Sequence, residues 1–433
     1  MIEVAWLAFL LGGAVVAAAL FTAGVSNWPT LGLTSLLAPA VLAWEMPAPP
    51  PLFSVGGSNV FAYDLIAVAF GLVALQRRAV IAASLGRATI WLQGLALLLV
   101  ISTLRGLVAN DLGGAVNDVR SFAYLAVTFA WSMSLNWAKR ASAGSVSSVG
   151  WARIAIVSMT TVALFHLMQY GLGDPNSRID AVSGLEQTSR VLVSGQALLA
   201  LLAAYIVYAS TERYRCLFAL MALVVVVLSQ QRSVWLAAAL GIALAFPYLH
   251  PHTRTTLGLT IAAGGSAIYA MYHDALAGVQ STLANTGTYE GRVQSWRGLL
   301  VESWHSGYVN VFLGSPMGTS YGRFEGPGRW VEYAPHNFYL SIYLRTGVLG
   351  FLLFLAALVI GFRLALSSRS WLLLSVLVTL TVYGWTYSWV WFAIPALALA
   401  WQAAAKSEGG TPPRDYPLNL DWGNSTASGQ AKR

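Results

Sequence analysis

Long apolar runs alternate with short polar links along most of the chain. A helix crosses the hydrocarbon core of a membrane with about 20 mainly apolar residues, so each long run predicts one transmembrane helix. The predicted spans cover residues 2–25, 59–76, 88–104, 121–137, 152–172, 191–210, 216–230, 233–249, 256–272, 338–362, 371–386 and 389–405. The pattern therefore predicts an all-α polytopic integral membrane protein with about twelve transmembrane helices.

Two stretches interrupt this pattern. Residues 30–45 are also apolar, but the proline-rich run 47–51 follows directly and cannot continue a helix. We therefore predict that residues 26–58 form an interfacial or re-entrant element, with a membrane span as the alternative. The polar stretch 273–337 predicts a large, partly helical loop between the ninth and tenth spans.

The chain divides into four parts on this basis. Residues 1–272 hold the first nine helices, 273–337 the loop, and 338–406 the last three helices. Residues 407–433 are rich in Gly, Pro, Ser and Asn and predict a disordered cytoplasmic tail. The first apolar run begins at Ile2 without a basic n-region, so we expect it to be a retained helix.

The composition excludes a soluble protein. The chain is 57% hydrophobic and 10% charged, whereas soluble domains are about 25% charged. The formal net charge of +8 is therefore a topological signal, and no nucleic-acid partner is expected. Cys216 is the only cysteine, which excludes an intrachain disulfide and a cysteine-rich metal site.

Basic residues outside the spans determine the predicted orientation. One face of the predicted topology carries Arg77, Arg78, Arg87, Lys139, Arg140, Arg213, Arg215, Arg254, Arg363, Arg369 and the tail from Lys406. Cytoplasmic loops carry an excess of Lys and Arg, so this face is predicted to be cytoplasmic. The loop 273–337 is then outside the cytoplasm.

Every basic residue assigned to the outer face is an arginine. These residues are Arg105, Arg120, Arg178, Arg190, Arg232, Arg292, Arg297, Arg323, Arg329 and Arg345. The positive-inside rule predicts few basic residues on that face. A guanidinium stays charged and offers a planar fork of donors that suits phosphate, whereas lysine offers only a point charge. The pattern therefore indicates an anionic, phosphorylated ligand.

Two arginine positions stand out. Arg232 lies between two apolar runs, in a turn too short for a solvated loop, so we expect its charge near the membrane boundary. Such a charge is a functional candidate, with snorkelling to headgroups as the alternative. Arg292 and Arg297 lie on a predicted amphipathic helix at angles about 140° apart. At most one of the two needs to face a site, and we favour Arg292 over an ordinary surface charge.

His336 is the candidate general base, because imidazole ionises nearest to neutral pH. Pro335 and Asn337 are typical of a helix start, and a helix is predicted from Phe338. Nearby arginines and the helix N-terminus are expected to disfavour the protonated ring. The alternative is that His336 only hydrogen-bonds at the helix start.

The sequence shows no pattern for a metal or a nucleotide. No His, Asp or Glu set has a metal-ligand spacing. The glycine-rich run 314–318 predicts a tight turn, yet it lacks the lysine and the strand of a nucleotide loop. An extracytoplasmic enzyme without a nucleotide needs an activated donor, and a lipid diphosphate is the activated donor that a membrane supplies.

The central part of the chain, from about Val191 to Gly361, resembles the bacterial O-antigen ligases and the related polysaccharide polymerases. The matching segments are Leu228–Leu236 with its Gln230-Gln231-Arg232-Ser233 hairpin, Arg292 with Trp296, Phe312–Gly318, Pro335–Leu340 and Arg345–Gly350. The chain has Gln231 where the family usually has Ser and Ser233 where it often has Gly. Neither change removes the cation at position 232.

The resemblance implies glycan transfer from undecaprenyl diphosphate to an acceptor hydroxyl, at the periplasmic face of the bacterial inner membrane and without a metal or other cofactor. In ligases the acceptor is a sugar of lipid A-core and the product is lipopolysaccharide. By position, His336 would deprotonate the hydroxyl, while Arg232 and Arg292 would hold the diphosphate. The expected substrate-binding residues are Arg120, Arg190, Arg297, Asn337 and Arg345.

Three other functions stay open at this point. The first is an O-antigen or exopolysaccharide polymerase, which uses the same donor and a second lipid-linked glycan as acceptor. A protein O-oligosaccharyltransferase usually has a larger periplasmic C-terminal part than this chain. A transporter or flippase would place ionisable residues near mid-span, where Asp64 is the main example here.

Twelve spans suffice for a monomer in membrane lipid, which is the expected state.

Overall fold

The fold was described from a computed structural model, in which helices account for 81% of the structure. This confirms the helical part of the predicted fold class. The described residues are 16, 19–42, 50–55, 57–135, 137, 148–170, 178–179, 186–187, 191–210, 213–249, 251–271, 287–325 and 329–408. Most of the first predicted span, most of the link 171–190, the start of the large loop and most of the predicted tail lie outside these residues.

The secondary structure is a series of helices with three short hairpins. The first half contains α1 (Pro29–Leu42), β1 (Phe53–Val55), β2 (Ser58–Val60), α2 (Ala62–Gln76), α3 (Arg78–Leu85), α4 (Ala88–Ala109), α5 (Leu112–Ser134), α6 (Ser148–Tyr170), β3 (Arg178–Ile179) and β4 (Glu186–Gln187). The second half contains α7 (Ser194–Tyr208), α8 (Arg215–Leu228), α9 (Arg232–Ala245), α10 (Pro251–Met271), α11 (Gly287–His305), α12 (Tyr308–Leu313), β5 (Arg323–Glu325), β6 (Arg329–Val331), α13 (Phe338–Ser367), α14 (Trp371–Gly384) and α15 (Pro395–Glu408). Short 3-10 helices cover Phe246–Tyr248 and Trp391–Ala393.

Some of these helices are long and apolar enough to cross a membrane. Among the described residues, Ala88–Ala109, Val149–Met168 and Phe338–Ser367 meet this criterion singly. The helices α2 and α3 meet it as a pair that is bent by 79°, and shorter apolar helices accompany them. The chain thus has the helices of a membrane protein. The count of about twelve spans and the position of the large loop stay predictions.

Two elements differ from the simplest interpretation of the sequence. Residues 29–42 form a helix although Pro39 lies inside it, and its residues Leu33 and Leu36 are buried. After α2 the chain does not run on as a plain link but turns into the short helix α3. Arg77 interrupts the apolar helix at this point, and its guanidinium donates to the backbone oxygen of Ser26 at 2.9 Å.

The helix α7 lies at the centre of the bundle, and its residues from Gly195 to Tyr208 are all buried. Its neighbours include α6, α8, α9 and α14. The hydroxyls of Tyr205 on α7 and Thr379 on α14 are 3.2 Å apart. The Tyr383 hydroxyl, at the end of α14, donates to Ser194 at the start of α7 at 3.1 Å. The start of α7 and the end of α14 therefore meet at one end of the bundle.

The polar segment before α13 is folded onto that helix. Trp296 and Leu299 of α11 are buried against Leu340 and Leu344 of α13. The indole ring of Trp296 also meets Trp385, with 6.0 Å between the ring centroids. This apolar contact positions α11 over the start of α13. The helix α11 confirms the helix predicted around Trp296.

The glycine-rich turn predicted at 314–318 is present, and it turns against the protein. Gly314 has φ +79°, and a Cβ atom there would lie 2.2 Å from the carbonyl carbon of Arg345. The backbone nitrogen of Ser315 donates to the oxygen of Leu344 at 2.7 Å. Gly347 interrupts α13 at the same place with φ 66°. The turn and the kinked helix therefore fit together closely.

Candidate functional site

The start of α13 fixes the position of His336. The side-chain oxygen of Asn337 accepts from the backbone nitrogen of Leu340 at 2.9 Å, which caps the helix. This confirms the predicted helix start at Phe338. Asn337 and Pro335 are buried, whereas His336 between them is exposed. The helix cap therefore fixes the backbone next to His336, and the imidazole lies at the surface.

Tyr387 brings the predicted catalytic residues together. Its ring centroid lies 5.1 Å from Cζ of Arg292 and 6.1 Å from the centroid of the His336 ring. Its hydroxyl donates to Oε1 of Gln231, next to Arg232, at 3.3 Å. Arg292, His336 and Tyr387 are called the site cluster below. These three segments are far apart in sequence and meet at one end of the bundle.

Arg292 has a second contact with the same segment. Its Nη1 atom donates to the backbone oxygen of Thr386 at 3.4 Å. Arg292 is half-buried, whereas Arg297 on the same helix is exposed. The structure therefore places Arg292 in the cluster and Arg297 on the surface of α11, as expected from their angular separation.

Arg232 begins α9 directly after a constrained turn. Gln230 has φ 52°, and the Gln231 side chain is buried and donates to the backbone oxygen of Leu192 at 3.2 Å. The Trp235 indole closes the turn by donating to the oxygen of Val226 at 2.8 Å. Arg232 itself is half-buried at the helix N-terminus, an end that favours anionic groups.

Arg323 is buried next to the site cluster and bonds to two of the segments that form it. It is 5% exposed, and its Nη1 donates to the backbone oxygen of Tyr333 at 2.7 Å. Its Nε contacts the hydroxyl of Ser295 on α11. The ring of Tyr333 lies 5.4 Å from that of His336. Arg323 therefore connects α11 to the segment that carries His336.

Arg345 lies in a different environment, at 2% exposure. Its Nε is 2.5 Å from Oδ2 of Asp118, and its Nη2 donates to the backbone oxygen of Thr319 at 2.6 Å. Its Cζ lies 4.0 Å from the ring centroid of Tyr321. Arg345, Asp118 and Tyr321 are called the inner cluster below. Its described contacts are with protein groups, and its substrate-binding role stays a prediction.

Burial raises the pKa of the Tyr321 phenol in the inner cluster, the charge of Arg345 opposes this shift, and Asp118 adds to it. The Tyr321 hydroxyl donates to Oδ1 of Asp118 at 3.0 Å. The backbone nitrogen of Gly318 donates to Oδ2 of the same carboxylate at 3.0 Å. Asp118 therefore binds the glycine-rich turn to α5 and α13.

The other predicted binding residues are not brought to the site cluster by the described contacts. Arg120 pairs with Asp64, with Nε and Oδ1 2.9 Å apart, and stacks on the Phe61 ring at 4.8 Å. The pair places the in-span Asp64 in the first turn of α2, beside a cation. Arg190 lies outside the described residues, and so do the side chains of Arg178 and Arg329.

Sequence reasoning missed the residues that organise the site. Tyr387 lies among Trp385, Trp389 and Trp391, a pattern typical of a headgroup layer. Tyr333 and Asp118 gave no signal either. The one hint was that Tyr387 directly follows the predicted span 371–386, which ends on the predicted outer face.

The site contains cations and aromatic rings in place of metal ligands. Within the described residues, no group of three or more His, Cys, Asp and Glu is arranged to hold a metal. Arg292 has no ion pair with another described residue. The arrangement can attract an anion and offer it hydrogen-bond donors, with an imidazole beside them. The expectation that no metal is needed stays a prediction.

Comparison with known proteins finds a family that the central part of the chain resembles. A search of curated proteins found no match to the chain. Residues 216–355 match the family model described as O-antigen ligase, and the match contains Arg232, Arg292 and His336. Residues 216–355 are therefore similar to an O-antigen ligase domain, which supports membership of the O-antigen ligase superfamily and a ligase or polymerase type of function.

Proposed function

We propose that the protein is an O-antigen ligase that acts at the periplasmic face of the inner membrane. It would transfer a glycan from undecaprenyl diphosphate to a sugar hydroxyl of lipid A-core. In this proposal His336 is the general base, and Arg292 and Arg232 bind the diphosphate. The bond-forming and bond-breaking steps do not involve Arg120, Arg190, Arg297 or Arg345.

One observation carries the proposal, namely the position of Tyr387. Its ring contacts Arg292 on one side and the His336 ring at an edge, and its hydroxyl binds the residue before Arg232. A cation for the leaving group and a base for the attacking group must be close together in any such transfer. The described contacts bring both kinds of group to one aromatic ring.

The chemical step uses these groups in a defined order. His336 takes the proton of the acceptor hydroxyl as its oxygen forms a bond to the anomeric carbon of the donor. The bond from that carbon to the diphosphate oxygen breaks, and the electron pair leaves with the diphosphate. Arg292 and Arg232 stabilise the developing charge, an effect worth about 3–4 kcal/mol for one preorganised donor. A general base adds about 10²–10⁴-fold.

The site is preorganised for this step. Asn337 caps the helix behind His336, and Arg323 binds the backbone of Tyr333 in front of it. The aromatic face of Tyr387 orients Arg292 without neutralising its charge, because a cation–π contact leaves the guanidinium cationic. The exposure of His336 suits an acceptor that is itself a large glycolipid.

The test is transfer in vitro from a purified undecaprenyl-diphosphate glycan to rough lipopolysaccharide in EDTA. Wild type, His336→Ala and Arg232→Ala are compared after each is shown to be folded. Transfer by wild type in EDTA that both substitutions abolish would support the proposal, including its independence from metal. Longer lipid-linked chains without a lipopolysaccharide product would indicate a polymerase instead. No consumption of donor by wild type would refute an enzyme of this type.

A further inference from the structure

An apolar cavity lies inside the helical bundle, away from the site cluster. Its walls come from α7, α8, α9, α10 and α14. Lining residues include Leu201, Tyr208, Leu223, Leu257, Ile261 and Trp371. A cavity with this apolar lining is suited to hydrocarbon.

The cavity lies at the opposite end of helices that also form the site. The helix α9 begins with Arg232 at the site, and Ala245 at its other end lines the cavity. Its 14 residues correspond to a length of about 20 Å. Trp371, at the start of α14, also lines the cavity, whereas Tyr383 near its end lies at the site. The cavity is therefore separate from the site cluster.

The cavity reaches the outer surface of the bundle. Ile261 on α10 lines it and is 40% exposed. In the predicted topology α10 lies in the membrane, where an exposed apolar side chain on the outside of a helix faces lipid. Hydrocarbon chains of the bilayer can therefore enter the cavity sideways without crossing a polar layer.

Two arginines lie beside residues that line the cavity. Cζ of Arg215 is 5.6 Å from the ring centroid of Tyr208. Nε of Arg254 donates to the backbone oxygen of Leu249, another lining residue, at 2.8 Å. A guanidinium has several N–H donors, and the described bonds use only some of them. Neither arginine has an ion pair with another described residue.

We propose that this cavity is a binding site for an anionic phospholipid. An acyl chain would extend into the apolar cavity, and Arg215 and Arg254 would hold the phosphate. Both arginines belong to the face predicted to be cytoplasmic, so the lipid would come from that leaflet. Basic residues between helices on this side are suited to anionic headgroups. The charge of the two arginines would select an anionic headgroup, and the apolar lining of the cavity would select an acyl chain.

The experiment measures lipid retention by the full-length purified protein with native mass spectrometry. Phosphatidylglycerol and phosphatidylcholine with the same chains are offered at equal concentration, and glycerol phosphate is offered separately. We expect wild type to retain phosphatidylglycerol and to bind neither phosphatidylcholine nor glycerol phosphate comparably. Replacing Arg215 or Arg254 by Gln should weaken phosphatidylglycerol retention about fivefold each.

Arg363→Gln is the matched control, because Arg363 is an exposed arginine on the same predicted face and lies on α13, which does not line the cavity. This variant should retain phosphatidylglycerol as wild type does. A second variant, Ala219→Phe, fills the cavity from α8 while keeping both arginines, and should lower retention of the whole lipid. Equal retention of both phospholipids by wild type would overturn the proposal. Unchanged retention in both arginine variants would overturn it as well.

Discussion

The chain contains two arginine clusters built from similar parts that differ in how the charge is balanced. In the inner cluster Arg345 stacks on Tyr321 at 4.0 Å and pairs with the carboxylate of Asp118. In the site cluster Arg292 lies over Tyr387 at 5.1 Å without an ion pair to a described residue. The first arginine is 2% exposed, and the second is half-buried.

We propose that this difference separates a structural arginine from a ligand-binding one. A buried cation needs a carboxylate and hydrogen bonds to offset its desolvation, and such a pair has little left to offer a ligand. A half-buried cation on an aromatic face keeps its charge and some donors for an anion. The outer arginines identified in the sequence therefore do not form one class, although all of them satisfied the same sequence criterion.

The largest expected effect concerns His336, the proposed general base in the site cluster. His336→Ala should lower transfer by about 10²–10⁴-fold, because the acceptor hydroxyl loses its proton acceptor. The unfolding temperature should stay close to wild type, since His336 is exposed. Initial rates of lipopolysaccharide formation measure the effect. The control is His305→Ala, an exposed histidine on α11, and an equal loss in both variants would contradict the assignment.

The next effect concerns the inner cluster. Asp118→Ala should destabilise the folded protein by about 3–5 kcal/mol, because it leaves the charge of Arg345 buried without a counter-charge. Thermal unfolding in detergent measures the loss. The comparison is Asp64→Ala at the more exposed pair, where the side chains are 12% and 21% exposed, and the loss should be smaller there. A wild-type unfolding temperature for Asp118→Ala would mean that the inner cluster is not structural.

The third prediction tests the role of Arg292 against its neighbour on α11. Arg292→Ala should lower kcat/KM for the lipid-linked donor by about 10²–10³-fold, as expected for loss of one donor to a developing oxyanion. Arg297→Ala should behave like wild type, since Arg297 is exposed. Steady-state kinetics with varied donor concentration measure both variants. Similar losses in the two would remove the distinction drawn between them.

The smallest effect tests how Tyr387 acts. Tyr387→Phe keeps the ring over Arg292 and removes the hydrogen bond to Gln231, so transfer should fall by less than about tenfold, in line with a bond worth about 0.5–1.5 kcal/mol. Tyr387→Leu removes the ring as well and should lower transfer further. The same transfer assay measures both. If the phenylalanine variant is as impaired as the leucine variant, the hydroxyl and not the ring carries the role.

Local patterns were sufficient for the individual elements of the fold. The apolar runs predicted helices that the structure contains, such as α8, α9 and α14, because a run of apolar residues buries itself as a helix in lipid or in a core. The helix start at Phe338 was also predicted, since Asn337 acts on residues only a few positions away. The bend of 79° between α2 and α3 was not predicted, because Arg77, Arg78 and Arg87 indicated a link between two spans at this point.

The sequence by itself determined that this is a helical membrane protein, where its outer arginines and His336 lie along the chain, and which family its central segment resembles. Only the tertiary structure decided which arginine meets which partner. Asp118 is 227 positions from Arg345 by their numbers (345 minus 118), and Tyr387 is 95 positions from Arg292 (387 minus 292). Contacts over such distances depend on how the helices pack, and no local period or spacing encodes them.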